Sequence, residues 1–204
     1  MTKTKKGFTL LELLIVIGIL SILSTTVVLV MNPAQLLKKA RDSQRMADFN
    51  TITTAIAYYI TDVADAQDIG SVTYTYSDVA GVVCTLGGAS RAVDTYQGVF
   101  TTAGVGWIPV NFGSITGGSP IGSLPHDPAA EASTGNHYYV YGVLSATDLT
   151  FKLITNMEST YYSSGQTGDV ETNDGGTIDT LYEVGTGMSL TVTTTANCFT
   201  DPGV

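Results

Sequence analysis

The chain has 204 residues, 44% of them hydrophobic, and a formal net charge of -9. This length predicts one globular domain with an appendage, since a domain typically takes about 150 residues. The charge is uneven: residues 1–45 hold seven Lys/Arg against two acids, a net of +5, and the remainder holds two against sixteen, a net of -14. Such an acidic domain is repelled by phosphate backbones, so non-specific nucleic-acid binding is disfavoured.

The first element is a long apolar segment behind a short basic leader. Residues 1–7 read MTKTKKG, and residues 8–31 carry a single charged residue, Glu12. These 24 residues suffice for a helix that spans about 30 Å of hydrocarbon, and the basic leader orients its N-terminus to the inside. A plain signal anchor explains this pattern but leaves Glu12 unexplained, because a carboxylate in a bilayer is costly without a partner.

The hexapeptide GFTLLE at residues 7–12 resembles the G-F-T-L-x-E processing site of type IV pilins and of the pseudopilins of type II secretion. The resemblance implies that a prepilin peptidase cleaves between Gly7 and Phe8 and that Phe8 is then N-methylated. It also implies assembly by pilus machinery, from the inner membrane, into a homopolymer held by the N-terminal helix. In a staggered filament, Glu12 of one subunit would neutralise the Phe8 amine of its neighbour.

A second helix is predicted over residues 32–65. Because proline lacks an N–H and fixes φ, the chain should kink at Pro33 or restart there with Asn32 as cap. Later apolar residues recur at spacings of three and four and predict one face that docks on the domain: Phe49, Ile52, Ile56, Tyr59, Ile60 and Val63. The polar run Lys38–Arg45 is either a solvated face or a basic surface that contacts acidic domains of neighbouring subunits.

Residues 66–204 are predicted to form an antiparallel sheet domain, so the whole chain is an α+β protein with a long N-terminal helix packed on that sheet. Six β-type runs separated by turn residues support this: 71–76, 81–86, 107–112, 137–144, 150–157 and 189–195. Tyr139 and Tyr141 alternate along one run and should present both rings to the helix. The segment 124–128 followed by these tyrosines is similar to the L-P-x-D-P and Y-x-Y pattern of the major pseudopilin of type II secretion.

The two cysteines, Cys84 and Cys198, lie 114 positions apart, without the close spacing that metal sites use. They are predicted to form a single long-range disulfide in an oxidising compartment. The alternative is two separate buried thiols.

An acidic stretch at residues 169–179 offers oxygen ligands at alternate positions, with glycines for tight turns, as calcium loops do. The candidate ligands are Asp169, Glu171, Asn173, Asp174 and Asp179. The stretch departs from the EF-hand pattern at its sixth and twelfth positions. The alternative is an exposed acidic turn that improves solubility, and no other cofactor is predicted.

No catalytic constellation stands out. The two histidines, His126 and His137, lie eleven apart without a Cys/His pair nearby, so a zinc site is not expected. We therefore predict a non-enzymatic structural subunit of a type IV pilus-like filament, first in the cytoplasmic membrane and then extracellular. Two alternatives stay open: a pseudopilin of a type II secretion system in the cell envelope, and a membrane-anchored extracytoplasmic binding module.

Overall fold

The computed structural model describes residues 7–63, 68–129, 137–193 and 198–199, with the side chain of residue 29 excepted. The chain separates into two compact units, Met1–Leu37 and Lys38–Val204. Helix α1 (Leu10–Met31) lies in the first unit, and helix α2 (Pro33–Asp62) runs from the first into the second. All described strands belong to the second unit.

Helix α1 begins with a capping box that explains one local role of Glu12. The Thr9 hydroxyl accepts a hydrogen bond from the Glu12 amide at 3.2 Å, and the Glu12 carboxylate accepts from the Thr9 amide at 3.0 Å and from its hydroxyl at 2.9 Å. These bonds satisfy donors that a helix start leaves unpaired. By length and composition, Leu10–Val28 is the one helix in the described part of the chain that is suited to crossing a membrane.

Of the two predicted alternatives for the junction, a kink or a restart, the structure shows the restart. Helix α1 ends at Met31, Asn32 adopts a left-handed conformation with φ 38°, and α2 starts at Pro33. The Gln35 amide donates to the Asn32 carbonyl at 3.0 Å and to its side-chain oxygen at 3.4 Å. Asn32 therefore caps α2, which is described as far as Asp62; the predicted end near residue 65 lies outside the described residues.

Eight described strands form two small sheets. Their bounds are β1 Tyr74–Ser77, β2 Thr85–Leu86, β3 Ala89–Ser90, β4 Ala92–Val93, β5 Val140–Ser145, β6 Thr150–Thr155, β7 Tyr182–Gly185 and β8 Val192–Thr193. The larger sheet has the order β4-β1-β5-β6-β7 and the smaller one β3-β2-β8. The pair β1 and β4 is parallel, and the other described pairs are antiparallel. The α+β prediction is confirmed, with one parallel pair that the sequence did not indicate.

The apolar run 107–112 is not a strand, which corrects one prediction. It is a buried loop that ends in a 3-10 helix, Phe112–Ser114, and Ala103 and Asn111 form an isolated bridge beside it. Pro109 within the run has no N–H to donate to a strand ladder, which disfavours a strand here. The apolar character of the run reflects its burial in a loop. The side chains of Trp107, Ile108 and Val110 are fully buried.

The apolar face of α2 packs on the larger sheet, as predicted. Phe49 meets Tyr139 edge to face, with ring centroids 5.0 Å apart. Tyr141 belongs to the same buried cluster, and its hydroxyl donates to the Ile69 carbonyl at 2.7 Å. Because successive β5 side chains alternate, Val140 points to a second cluster, which contains Cys84 and Cys198.

Candidate functional site

The predicted cleavage site lies in a short exposed segment ahead of helix α1. Gly7 and Phe8 precede the helix, and the Phe8 side chain is 76% exposed. The bond between Gly7 and Phe8 therefore lies outside the helix in an exposed segment, since α1 begins only at Leu10. Glu12 follows one helical turn later, with its carboxylate bonded to Thr9.

A buried ion network joins helix α2 to the domain, and sequence reasoning missed it. Arg45 is fully buried; its Nε and Nη2 donate to the two oxygens of Asp127 at 2.7 and 2.8 Å, and its Nη1 donates to Asp42 at 2.6 Å. The Asp42 carboxylate also accepts from the backbone amides of Glu158 and Ser159 at 2.9 and 2.7 Å. Planar, forked pairing of this kind is specific to arginine.

Two further cations of the run at residues 38–45, Arg41 and Lys39, also contact their own domain. The Nε and Nη2 of Arg41 donate to the two carboxylate oxygens of Glu158. This hydrogen bonding lowers the pKa of the Glu158 carboxyl. Lys39 places its Nζ 3.5 Å from the centre of the Tyr161 ring, a cation–π contact. The expectation of a solvated face is therefore wrong for Arg45, whose partners lie in its own chain. The expected contact of the run with acidic domains of neighbouring subunits stays a prediction.

The loop 124–128 is held so that Asp127 reaches Arg45. Trp107 donates from Nε1 to the Pro125 carbonyl at 3.0 Å, and the Asp127 amide donates to the Asp78 carboxylate at 2.7 Å. Asp78 also accepts from the Tyr139 amide at 2.7 Å, at the start of β5. The loop that is similar in sequence thus has a defined structural role: it places the Asp127 carboxylate next to Arg45 of helix α2.

The Asp78 carboxyl should make domain stability depend on pH. Burial raises its pKa from the usual 3.8 to about 7, so the folded chain binds this proton more tightly than the unfolded chain does. The stabilising contribution is complete below the unfolded pKa and is lost as pH rises through about 7, with a slope of at most about 1.4 kcal/mol per pH unit. Thermal unfolding of the full chain in micelles at several pH values measures this.

The matched variants for this test are Asp78→Asn and Asp94→Asn. The first removes the titrating group and should flatten the pH dependence between about pH 4 and 7, the range between the unfolded and folded pKa values. The second changes a half-buried surface carboxylate and should leave the dependence as in the unmodified chain. Equal slopes for the unmodified chain and Asp78→Asn would contradict this account.

The disulfide between Cys84 and Cys198 is present, which confirms that prediction. Both residues are fully buried. The bridge joins Cys198, which follows β8 in the chain, to Cys84, which directly precedes β2. Next to Cys198, Phe199 stacks on Tyr138 with ring centroids 4.5 Å apart. The bridge thus fastens a late part of the chain to the second hydrophobic cluster.

The predicted calcium ligands mainly serve backbone amides. Glu171 is buried and accepts from the amides of Met157 and Ser164 at 3.0 and 2.9 Å. Asp169 accepts from Gly165 and Thr172, and Asp174 accepts from Gly176 and Glu183. In the described residues no three His, Cys, Asp or Glu side chains are grouped to hold a metal. Asp169, Asn173 and Asp174 do line one cleft of about 390 Å³, whereas Glu171 lies outside its lining.

These features define a membrane-anchored α+β protein with a pilin-like architecture. Residues 2–28 match a family described as the prokaryotic N-terminal methylation motif, which is the prepilin signature of type IV pilins and pseudopilins. The chain carries this motif, and the motif implies processing by a prepilin peptidase. The family is a structural one rather than an enzyme family. No curated protein and no solved structure matches the chain.

Proposed function

We propose that the chain is the structural subunit of a type IV pilus-like surface filament. The observation that carries the proposal is the methylation motif placed directly in front of helix α1, whose large side chains are exposed. An apolar helix of this kind needs a lipid or a protein partner, because its burial releases water from apolar surface. After cleavage, copies of α1 pack laterally, so that contacts between helices replace the contacts of each helix with lipid.

Four segments carry out this role. Residues 1–7 are the leader, residues 8–31 the membrane and filament helix, residues 32–65 the stem, and residues 66–204 the outer domain. The buried Arg45 network supports a domain that moves as one body with the stem from Lys38 onward, since this part of α2 packs within the second unit. The disulfide suits a domain that works outside the cytoplasm. The subunit acts as a building block and carries out no catalysis.

A pseudopilin of a type II secretion system is the second candidate. The loop 124–128 favours it, because its similarity to the L-P-x-D-P pattern coincides with the carboxylate that Arg45 binds. Electron microscopy of the producing cells separates the two functions: long surface filaments made of this chain favour the pilus, and their absence alongside a processed chain favours the pseudopilin.

The mature chain should begin at N-methyl-Phe8. Mass spectrometry of the N-terminal peptide from purified cell-surface material reports cleavage and methylation together. Replacing Gly7 with valine should abolish cleavage, because the peptidase needs the small residue before the scissile bond, whereas Gly18→Ala inside α1 should leave cleavage intact. Surface protein that retains MTKTKKG would contradict the proposed processing.

The charge of Glu12 should be needed for assembly. Glu12→Gln keeps an acceptor for the Thr9 amide, since glutamine also completes a capping box, but it removes the charge that neutralises the Phe8 amine of a neighbour. This variant should be cleaved normally and should yield few or no filaments. Thr9→Ala weakens the cap while keeping the charge, and it should assemble. Normal filament yield from Glu12→Gln would show that pairing is not the role of this residue.

A further inference from the structure

Between residues 46 and 61, helix α2 has one charged residue, Asp48, which is half-buried and accepts a hydrogen bond from the Tyr139 hydroxyl; none of the fully exposed positions there is charged, although the outer faces of surface helices normally are. Its exposed positions, here called the helix stripe, are Ala47, Asn50, Thr51, Thr54, Ala57, Tyr58 and Thr61. Spacings of three and four align them along one side of the helix. The three threonine hydroxyls donate to helix carbonyls at 2.7 to 2.9 Å. Apart from the Asn50 amide, the stripe therefore presents methyl groups and the Tyr58 ring.

A groove runs beside the helix stripe. It has a volume of about 360 Å³ and is closed on its other side by Pro120 and Ile121. Its lining contains no charged side chain: Asn50, Thr51, Thr54, Ala55, Tyr58, Pro120 and Ile121. Such a groove accepts apolar or aromatic side chains without the cost of burying a charge.

A second surface of low charge lies along the outer edge of the larger sheet, with the half-buried Asp94 as the charged residue of its strip. The amides of Ala92, Asp94 and Gly98 donate to β1 carbonyls or to the residue before β1, so residues 92–98 run beside β1. This strip and its flanks, here called the sheet edge, expose large apolar side chains at 37 to 44%: Val72, Tyr74, Val93, Tyr96, Val99, Phe100 and Val105.

Surface charge is distributed unequally over the domain. Of the described residues 68–129, only Asp68, Asp78, Arg91, Asp94 and Asp127 carry a formal charge, and all but Asp68 and Asp94 are buried. Several acidic side chains between residues 148 and 179 are not buried: Asp148, Glu158, Asp169, Asp174 and Asp179. Because the domain is strongly acidic, two copies repel each other least when they meet through surfaces with few charges, such as the helix stripe and the sheet edge.

We propose that the helix stripe and its groove receive the sheet edge of a second copy of this chain. The proposal rests on the proposed filament, in which copies are related by rotation and translation along an axis. Such an open assembly joins two different surfaces of the same molecule. The domain carries two different surfaces of low charge, one concave beside a helix and one rich in exposed aromatic rings. Their contact buries apolar area and keeps the acidic regions apart.

Cross-linking between two populations of the full chain tests this contact. One population carries Thr54→Cys in the groove, and the other carries Tyr96→Cys on the sheet edge. They are mixed in liposomes at high protein density, treated with a bis-maleimide and separated by mass. The native disulfide occupies Cys84 and Cys198, so only the new thiols react. The control replaces the second population with Thr180→Cys, an exposed position in the acidic region.

The Thr54 and Tyr96 mixture should give mixed dimers, with a yield several-fold above that of the Thr54 and Thr180 mixture. Adding Ala57→Glu to the Thr54 population should lower the yield about 10-fold, because it buries an unpaired carboxylate at the contact. Thr180→Glu in the same population should not lower it. Equal yields for the two mixtures, or no effect of Ala57→Glu in chains whose disulfide is intact, would overturn the proposal.

The proposed filament is tested separately on the unmodified chain, by the N-terminal mass and by microscopy. Processed filaments without the Thr54 to Tyr96 cross-link would overturn the domain contact alone. A cross-link in liposomes without processing or filaments would support the contact and overturn the proposed function.

Discussion

Replacing Arg45 with methionine should destabilise the domain by about 3 to 5 kcal/mol, because it leaves two buried carboxylates without their cation. Asp127 and Asp42 both bind Arg45 with side chains that are fully buried. Water cannot solvate these charges, and Asp42 would retain only the amides of Glu158 and Ser159. Thermal unfolding of the full chain in micelles should show the midpoint fall by roughly 6 to 20 °C.

The control for this variant is Arg41→Met, the same change one helical turn earlier. Arg41 also pairs with a carboxylate, Glu158, but its side chain is 33% exposed. An exposed pair contributes at most about 1 kcal/mol, so this midpoint should move by only a few degrees. Arg45→Met, Asp127→Leu in one chain should recover part of the loss, since no charge is left unpaired at that site. Similar midpoints for the two single variants would show that the buried network does not stabilise the junction.

Removing the disulfide should cost about 2 to 5 kcal/mol. The bridge closes a sequence separation of 114 residues, and the loss of entropy in the unfolded chain grows with loop length, reaching about 4.7 kcal/mol for a loop of about 100 residues. Cys84→Ala, Cys198→Ala in one chain should therefore unfold at a markedly lower denaturant concentration than the unmodified chain.

The effect should be concentrated in the second hydrophobic cluster. Phe199 is held on Tyr138 next to the bridge, whereas Phe49 and Tyr139 lie in the other cluster. Hydrogen exchange should therefore rise first around β2 and β8. Exchange that rises uniformly in the double variant, or an unchanged denaturation midpoint, would contradict a local stabilising role of the bridge.

Several parts of the molecule were predictable because their cause is local in the sequence. Helix α1 follows from a continuous apolar run, and its start follows from Thr9 and Glu12 at capping-box spacing. The restart at Pro33 follows from the missing N–H of proline. The hairpin of β5 and β6 follows from alternation on both sides of a short turn. The disulfide was predictable because the chain contains only two cysteines.

The ion network was not predictable in the same way. Arg45 lies in a polar run typical of a solvated helix face, and its main partner, Asp127, is 82 residues away. Local sequence does not reveal which polar residues the fold will bury, because this depends on which distant segment packs against them. The available signals were the spacing of Asp42 and Arg45 and the similarity of the loop 124–128. Neither signal indicates that Arg45 binds Asp127.

The sequence by itself determined the membrane segment, the processing motif, the α+β class and the pairing of the cysteines. Each depends on hydrophobicity, on residue spacing or on a count. Only the tertiary structure decided that the run at residues 107–112 is a buried loop, that three cations of the basic run contact their own domain, and that the helix stripe and the sheet edge carry little charge. These properties arise from contacts between distant segments, and the free energy of such contacts depends on burial, which no short stretch of sequence specifies.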